Sequence, residues 1–250
     1  MSEEIVNDTP PDQAFGLDHS ALVTLLEDGD VEILGRMPNS SNTTLLVRVT
    51  NEDQAHLAIY KPGRGERPLW DFPPDLYGRE AAMYRLADAI GWDVIPPTTI
   101  TSGPLGEGSV QAFVNGDFSE HYFTLYEAGT GIEDLQKLCL LDYVANNTDR
   151  KSGHCLLGGD GRVYGIDNGL AFHRDFKLRT VIWDFALDPI PPHLLAALET
   201  FAETELPVEL ACLLDSPERH ALSVRLGELL ATATFPEDET GGHRYPWPLV

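Results

Sequence analysis

Apolar residues fall in short, turn-bounded alternating runs through the first part of the chain and recur at helical spacing through the last part. The run ALVTLLEDG, from Ala21, predicts a short helix ended by Gly29. VEILGRM and LLVRVT, separated by the polar turn PNSSNTT, read as a strand hairpin, and HLAIYKP reads as a third strand broken by Pro62. Residues from Gly63 to Pro74 carry glycine, proline and charge, so a loop is expected there, anchored by Trp70 and Phe72. A helix is predicted from about Tyr77 to Ile90, closed by Gly91 and then by Pro96–Pro97, and GSVQAFV is read as another strand.

Beyond that strand the period changes. Leu135, Leu138, Cys139 and Asp142 share one face of a helix expected over Asp134 to Val144. A polar loop, NNTDRKSGH, follows, and then CLL and RVYGID as short strands around a GGDG turn. From Pro191 the pattern is mostly helical (HLLAALETFAE, VELACLLD, RHALSVRLGELLATA), and the final GGHRYPWPLV has no period and is read as an ordered tail. Strands come first and helices later, which is α+β segregation rather than an alternating parallel sheet. The expected organisation is an acidic flexible arm over 1–18, a small β-rich N-lobe over 19–114 and a helical C-lobe over 115–250, joined near Phe113–Asp117.

Composition narrows the function classes. At 42% hydrophobic and 23% charged residues, the chain is of ordinary globular type. Its net charge of −23 argues against a nucleic-acid surface and against docking on anionic lipid, both of which need facing cations. Cys139, Cys155 and Cys212 are few, odd in number and set among apolar residues, so reduced core thiols are expected instead of a disulfide frame. The N-terminus lacks a basic and an apolar region of the signal-peptide kind, and no apolar run approaches the roughly 20 residues of a membrane span. A cytoplasmic protein without stable membrane association is expected.

The order of polar residues then suggests chemistry. A turn with Ser40, Ser41 and Asn42 lies between two strands, and such a turn either closes a plain hairpin or wraps phosphate oxygens with consecutive N–H groups. Lys61 shares a strand face with Leu57 and Ile59, an unusual place for an unpaired ammonium. Glu80, on the same helical face as Met83, Ala87 and Ile90, is its expected partner; otherwise Lys61 snorkels from an exposed edge. Asp149 follows a helix in the polar loop, and Asp167 ends a strand before Asn168–Gly169, where it serves either a tight turn or a hard metal ion. Asp142, on the apolar face of its helix, is read as bracing the loop, and His154 as either a metal ligand or a structural hydrogen bonder. This order, ending in two Asp residues, matches the parts needed for phosphoryl transfer from ATP. No G-x-S-x-G, H-E-x-x-H, Walker or dinucleotide fingerprint competes with it. Arg174, Lys177 and Arg179 form a cationic cluster that either receives an anionic substrate or satisfies nearby carboxylates.

Taken together, AIYKPGRGERPLWDFP, YGREAAMYRLADAIGWDVIPPT, GSVQAFV, NNTDRKSGHCLL and YGIDNGLAFH resemble a chiefly actinobacterial group described as phosphatidylinositol 3- and 4-kinase-like. The resemblance runs from about Gly35 to Pro248 and is more distantly similar to HipA-type kinases. It implies a two-lobed, atypical protein-kinase-like fold with ATP and Mg2+, or Mn2+, between the lobes. By that resemblance Lys61 contacts phosphates and Glu80 orients it. Gln111 to Val114, with Phe113, form the hinge against adenine, Asp149 is the catalytic aspartate and Asp167 a metal ligand. Three positions depart from the pattern: Lys151 stands where relatives have His, His154 where they have a metal-binding Asn, and Asn168 where the usual metal motif has Phe. Imidazole is a softer ligand than an amide oxygen, which points toward manganese or one-metal chemistry. The expected function is an ATP- and metal-dependent phosphotransferase on an unknown protein or small-molecule acceptor. A non-catalytic ATP-binding pseudokinase and an AMP transferase on the same fold are the alternatives, and the oligomeric state stays open.

Overall fold

The computed structural model describes residues 18–38, 42–238 and 241–249, so the arm expected over 1–18 lies outside the described residues except for Asp18. Asp18 caps the first helix, α1 (His19–Asp28), by accepting the Ala21 N–H at 2.8 Å. Gly29 follows α1 in an extended conformation, and a Cβ there would meet Leu25 O and Val49 Cγ1 at 2.6 Å, so glycine fits the close approach. The chain then runs through β1 (Asp30–Arg36), β2 (Leu45–Thr50) and β3 (Ala55–Pro62). The helix α2 (Leu76–Ile90) intervenes before β4 (Thr98–Gly103) and β5 (Gly106–Ala112). The five strands form one antiparallel sheet in the order β1-β2-β3-β5-β4.

Alternation decides which face of this sheet is core. Val47, Val49, Ala58, Tyr60, Val110 and Ala112 pack with Leu25 and Leu26 of α1. Burying each such Leu stabilises by about 1.5–3 kcal/mol. Leu57, Ile59 and Lys61 do share a face, but it is the opposite, half-buried one, which corrects the expectation that Lys61 lies among core residues. β3 ends at Pro62, as expected, and Pro62 still pairs with Gly108, where a Cβ would come within 2.4 Å of Lys61 O, so only glycine admits the close approach. The segment TTITSG, unread as a strand between its prolines, forms β4.

The second part carries a small antiparallel sheet of β6 (Gly116–Asp117), β7 (Cys155–Gly158) and β8 (Val163–Gly165). Around it lie α3 (Tyr122–Ala128), α4 (Ile132–Ala145), α5 (Pro192–Ala202), α6 (Val208–Ala211) and α7 (Ser216–Thr232). Their core includes Leu138, Leu141, Ile182, Leu198 and Leu226, and α2 adds Ala82, Met83, Leu86 and Ile90 to it. So α2, expected as part of the β-rich lobe, is packed into the helical core as well. The aromatic anchors of the loop before α2 also need correction: Trp70 is 96% exposed, while Phe72 alone packs, edge-on against His173 and beneath Arg79 and Lys177. Cys139 and Cys155 are buried as expected, but Cys212 is exposed. Among the described residues no helix is long and apolar enough to cross a membrane.

Candidate functional site

The half-buried face of β3 and the turn after β8 come together at Lys61. Its ammonium bonds Glu80 Oε1 on α2 and Asp167 Oδ1 at 2.7 Å. The Lys–Glu pairing expected from strand and helix periodicity is therefore formed, with Asp167 as a third member. Burial pulls the Lys61 pKa down, but the two carboxylates outweigh it and hold the ammonium above its ordinary value. The Lys61 charge in turn holds the Asp167 carboxyl well below the usual carboxylate range. Lys61 and His154 flank Asp167, yet 55% of its side-chain surface is open to solvent. Its backbone is left-handed, with φ 56°, a region that Asp enters more readily than most residues.

A polar chain carries this contact to the loop after α4. Glu80 Oε2 accepts the Asn168 N–H at 2.8 Å, and Asn168 Oδ1 accepts from Arg150 Nη2 at 2.6 Å. Arg150 is fully buried and donates to both Asp142 oxygens and to the Ile166 carbonyl. Asp142 also accepts from Asn147 and Thr180, and Asn147 Oδ1 receives the Asp149 N–H at 3.0 Å. Asp142 thus braces the loop, as its place on α4 suggested. Asn146 adds a second tie: it ends α4 in a left-handed conformation and its amide donates to the His173 and Asp175 carbonyls.

Asp149 is half-buried and its Oδ2 accepts from Lys151 Nζ at 2.7 Å. Burial raises the Asp149 pKa, and Lys151 opposes the rise without cancelling it. His154 Nε2 lies 3.4 Å from Asp167 Oδ2. Burial pushes the His154 pKa down to about 4, against the opposing pull of Asp167, so the ring is neutral at pH 7. Its Nδ1 accepts the Lys151 N–H at 3.4 Å, which leaves the proton on Nε2, facing Asp167, so the ring would take a metal on that side only in its other tautomer. Among the described residues no three His, Cys, Asp or Glu side chains gather into a closed metal site. One exposed carboxylate with one neutral imidazole suits an ion that fills its remaining positions with water and phosphate oxygens, so the donors present fit magnesium or manganese on a nucleotide.

Ser40 and Ser41 fall outside the described residues. Asn42 Oδ1 accepts the Arg67 N–H at 3.2 Å, so it braces the turn against the loop after β3. Gln111 is buried and its amide donates to Thr98 Oγ1 at 2.9 Å. Phe113 gives its N–H to Leu57 O at 2.9 Å, whereas Val114 has no backbone partner among the described residues. Sequence reading missed Arg150 as the hub, because an Arg between Asp149 and Lys151 in a polar loop looks solvated; the buried Asp142 eight residues earlier is the signal that calls for a buried cation.

No family model matches the chain. Protein Rv2133c of Mycobacterium tuberculosis (strain ATCC 25618 / H37Rv) is 36% identical over 262 residues, covering 90% of this chain and 94% of that protein. Among solved structures, the Golgi casein kinase with Mn/ADP bound superposes with a TM-score of 0.61 at 17% identity, over 92% of this chain and 80% of that one. Hydra Fam20 with sugar gives 0.59 at 13% identity, over 86% and 87%. At these identities the likeness shows the fold: a mixed α+β, kinase-like arrangement of a sheet lobe and a helical lobe.

Proposed function

The chain belongs to the family of the M. tuberculosis protein Rv2133c, and from that premise and the grouping of Lys61, Glu80 and Asp167 we propose that it is an ATP- and divalent-metal-dependent phosphotransferase. The observation that carries the reading is Lys61 held between Glu80 and Asp167, with Asp149 tied to the same hydrogen-bonded chain. An ammonium with two carboxylates around it is overprovided with negative charge, and phosphate oxygens joined by a cation would restore the balance. Manganese and ADP bound to the Golgi casein kinase support the same ligands here. The motifs NNTDRKSGH and YGIDNG support a place in the phosphatidylinositol 3-/4-kinase-like branch of that fold.

In this reading Lys61 binds the nucleotide phosphates and Glu80 fixes its direction. Val114, with unused backbone groups, meets the adenine edge, while Gln111 and Phe113 shape the hinge through Thr98 and Leu57. Ser40, Ser41 and Asn42 contribute the turn over the phosphates. Asp167 and His154 hold the metal, which when bound neutralises charge on the phosphates. The acceptor hydroxyl oxygen bonds to the γ-phosphorus as the bond from that phosphorus to the β,γ-bridging oxygen breaks. The hydroxyl proton passes to Asp149, and the electron pair of the broken bond leaves with ADP. A carboxyl pKa raised by burial makes Asp149 a better proton acceptor than a solvated Asp.

His154, in place of an amide ligand, favours a second reading in which nucleotide binds without turnover. Asp149→Asn separates the two. An enzyme loses ATP turnover by roughly 10²-fold or more with nucleotide affinity retained, the scale of a general-base contribution. Equal, near-zero turnover in both proteins with nucleotide bound would leave the non-catalytic reading. Transfer of AMP on the same fold would appear as a product carrying adenosine.

A further inference from the structure

The acceptor site can be read from the distribution of cations. Nine of the 17 Lys and Arg pair with a carboxylate among the described residues, so an unpaired one marks an anion contact only where it borders the site. All four lysines are paired: Lys61 with Glu80 and Asp167, Lys137 with Glu133, Lys151 with Asp149, Lys177 with Asp71. Lys177 therefore leaves the cationic cluster noted in the sequence. Arg174 and Arg179 stay in it, exposed and without a side-chain partner among the described residues, and Arg244 joins them with only the Tyr245 ring beneath it.

These three arginines border the loop that holds Asp149. The carbonyls on either side of Arg174, those of His173 and Asp175, accept from the Asn146 amide at 2.8 and 2.7 Å. Arg179 gives its N–H to Asn147 O at 2.9 Å and its carbonyl accepts the Arg150 N–H at 3.1 Å. The Arg244 carbonyl accepts the Thr180 N–H at 3.0 Å, and Leu249 O of the same tail accepts the Ser152 N–H at 2.9 Å. The backbones of all three are thus fixed beside residues 146–152 while the guanidinium groups stay uncommitted.

Resting on the phosphotransferase reading, we propose that the acceptor is a small molecule that already carries a phosphate ester, received by Arg174, Arg179 and Arg244 while its free hydroxyl faces Asp149. Guanidinium forks match phosphate oxygens bidentately. The rest of the surface selects for small size. A net charge of −23 repels a large acidic protein or an anionic membrane, whereas a compact anion senses only charges within a Debye length, about 8 Å at physiological ionic strength. The product then carries one phosphate more than the acceptor, with the atoms and electrons of the transfer as given above.

The test uses the whole protein, γ-labelled ATP, magnesium or manganese, and the small-molecule fraction of a cell extract, untreated or first dephosphorylated with a phosphatase that is then removed. The ATP-induced shift in unfolding temperature is recorded in parallel. The expected result is a labelled small product from the untreated fraction that falls at least tenfold after dephosphorylation. It should fall similarly with Arg174→Gln/Arg179→Gln/Arg244→Gln, recover in part with Lys at the three positions, and be competed by millimolar inorganic phosphate. The ATP shift should be the same in all variants, whose backbone ties remain. A normal ATP shift with equal labelling of both fractions, with label only in protein or lipid, or with no labelled product overturns the proposal and leaves nucleotide binding standing. Loss of the ATP shift in the wild type overturns the phosphotransferase reading itself.

Discussion

Arg150 holds a full guanidinium with no solvent exposure, and only Asp142 offers it an opposite charge at contact distance. A buried pair of this kind is costly to break from one side, because the survivor keeps its charge and loses its compensation. Asp142→Ala is expected to lower unfolding free energy by about 3–5 kcal/mol in denaturant titration. Asp142→Leu combined with Arg150→Met should recover most of that loss and still turn over poorly, since Asn147 and Asn168 lose the groups that place Asp149 and Asp167. The cysteines give a second prediction at this scale. Burial raises the thiol pKa of Cys139, and pushes that of Cys155 up to about 12, so neither forms thiolate near pH 8. An Ellman titration of the native protein at pH 8 should show one reactive thiol, Cys212, and three after unfolding; a second fast thiol in the native state would contradict it.

A contrast between periodic and non-periodic residues governs the elements. α2, α4 and β3 were legible because each repeats apolar positions over several turns or pleats. That regularity put Glu80 and Lys61 on faces that meet. The short elements were not: α3 has seven residues before Gly129, and β4 sits between Pro96–Pro97 and Gly103–Pro104, which read as loop. The start of α7 was also missed, although Asp215 and Glu218 form a capping box there, with Pro217 in its first turn. Glu218 has a second task, because Arg79 on α2 donates to it at 2.5 Å and so fastens α2 to α7. Glu218→Gln keeps the cap and weakens the charge-assisted bond. It is expected to cost about 1.5–3 kcal/mol, measured by chemical denaturation, whereas Asp215→Ala should cost about 1 kcal/mol.

For the molecule as a whole, the α+β segregation follows from the order of periods along the chain, while the closeness of the two lobes does not. Polar residues in loops carry no period, so the route from Glu80 through Asn168 and Arg150 to Asp149 emerges only when the chain is folded. That route makes Lys61, Glu80 and the loop that holds Asp149 parts of one network. The proposed function puts ATP with a divalent metal between Lys61 and Asp167. Thermal unfolding with ATP plus magnesium, ATP plus manganese, and each alone, for the wild type, Lys61→Ala and Asp167→Ala, tests this most directly. At 100 times its dissociation constant a bound ligand adds about 2.7 kcal/mol of stability. The predicted result is a metal-dependent rise of that size in the wild type that both variants lose. No rise with any nucleotide and metal, or a rise that survives both substitutions, would contradict the account.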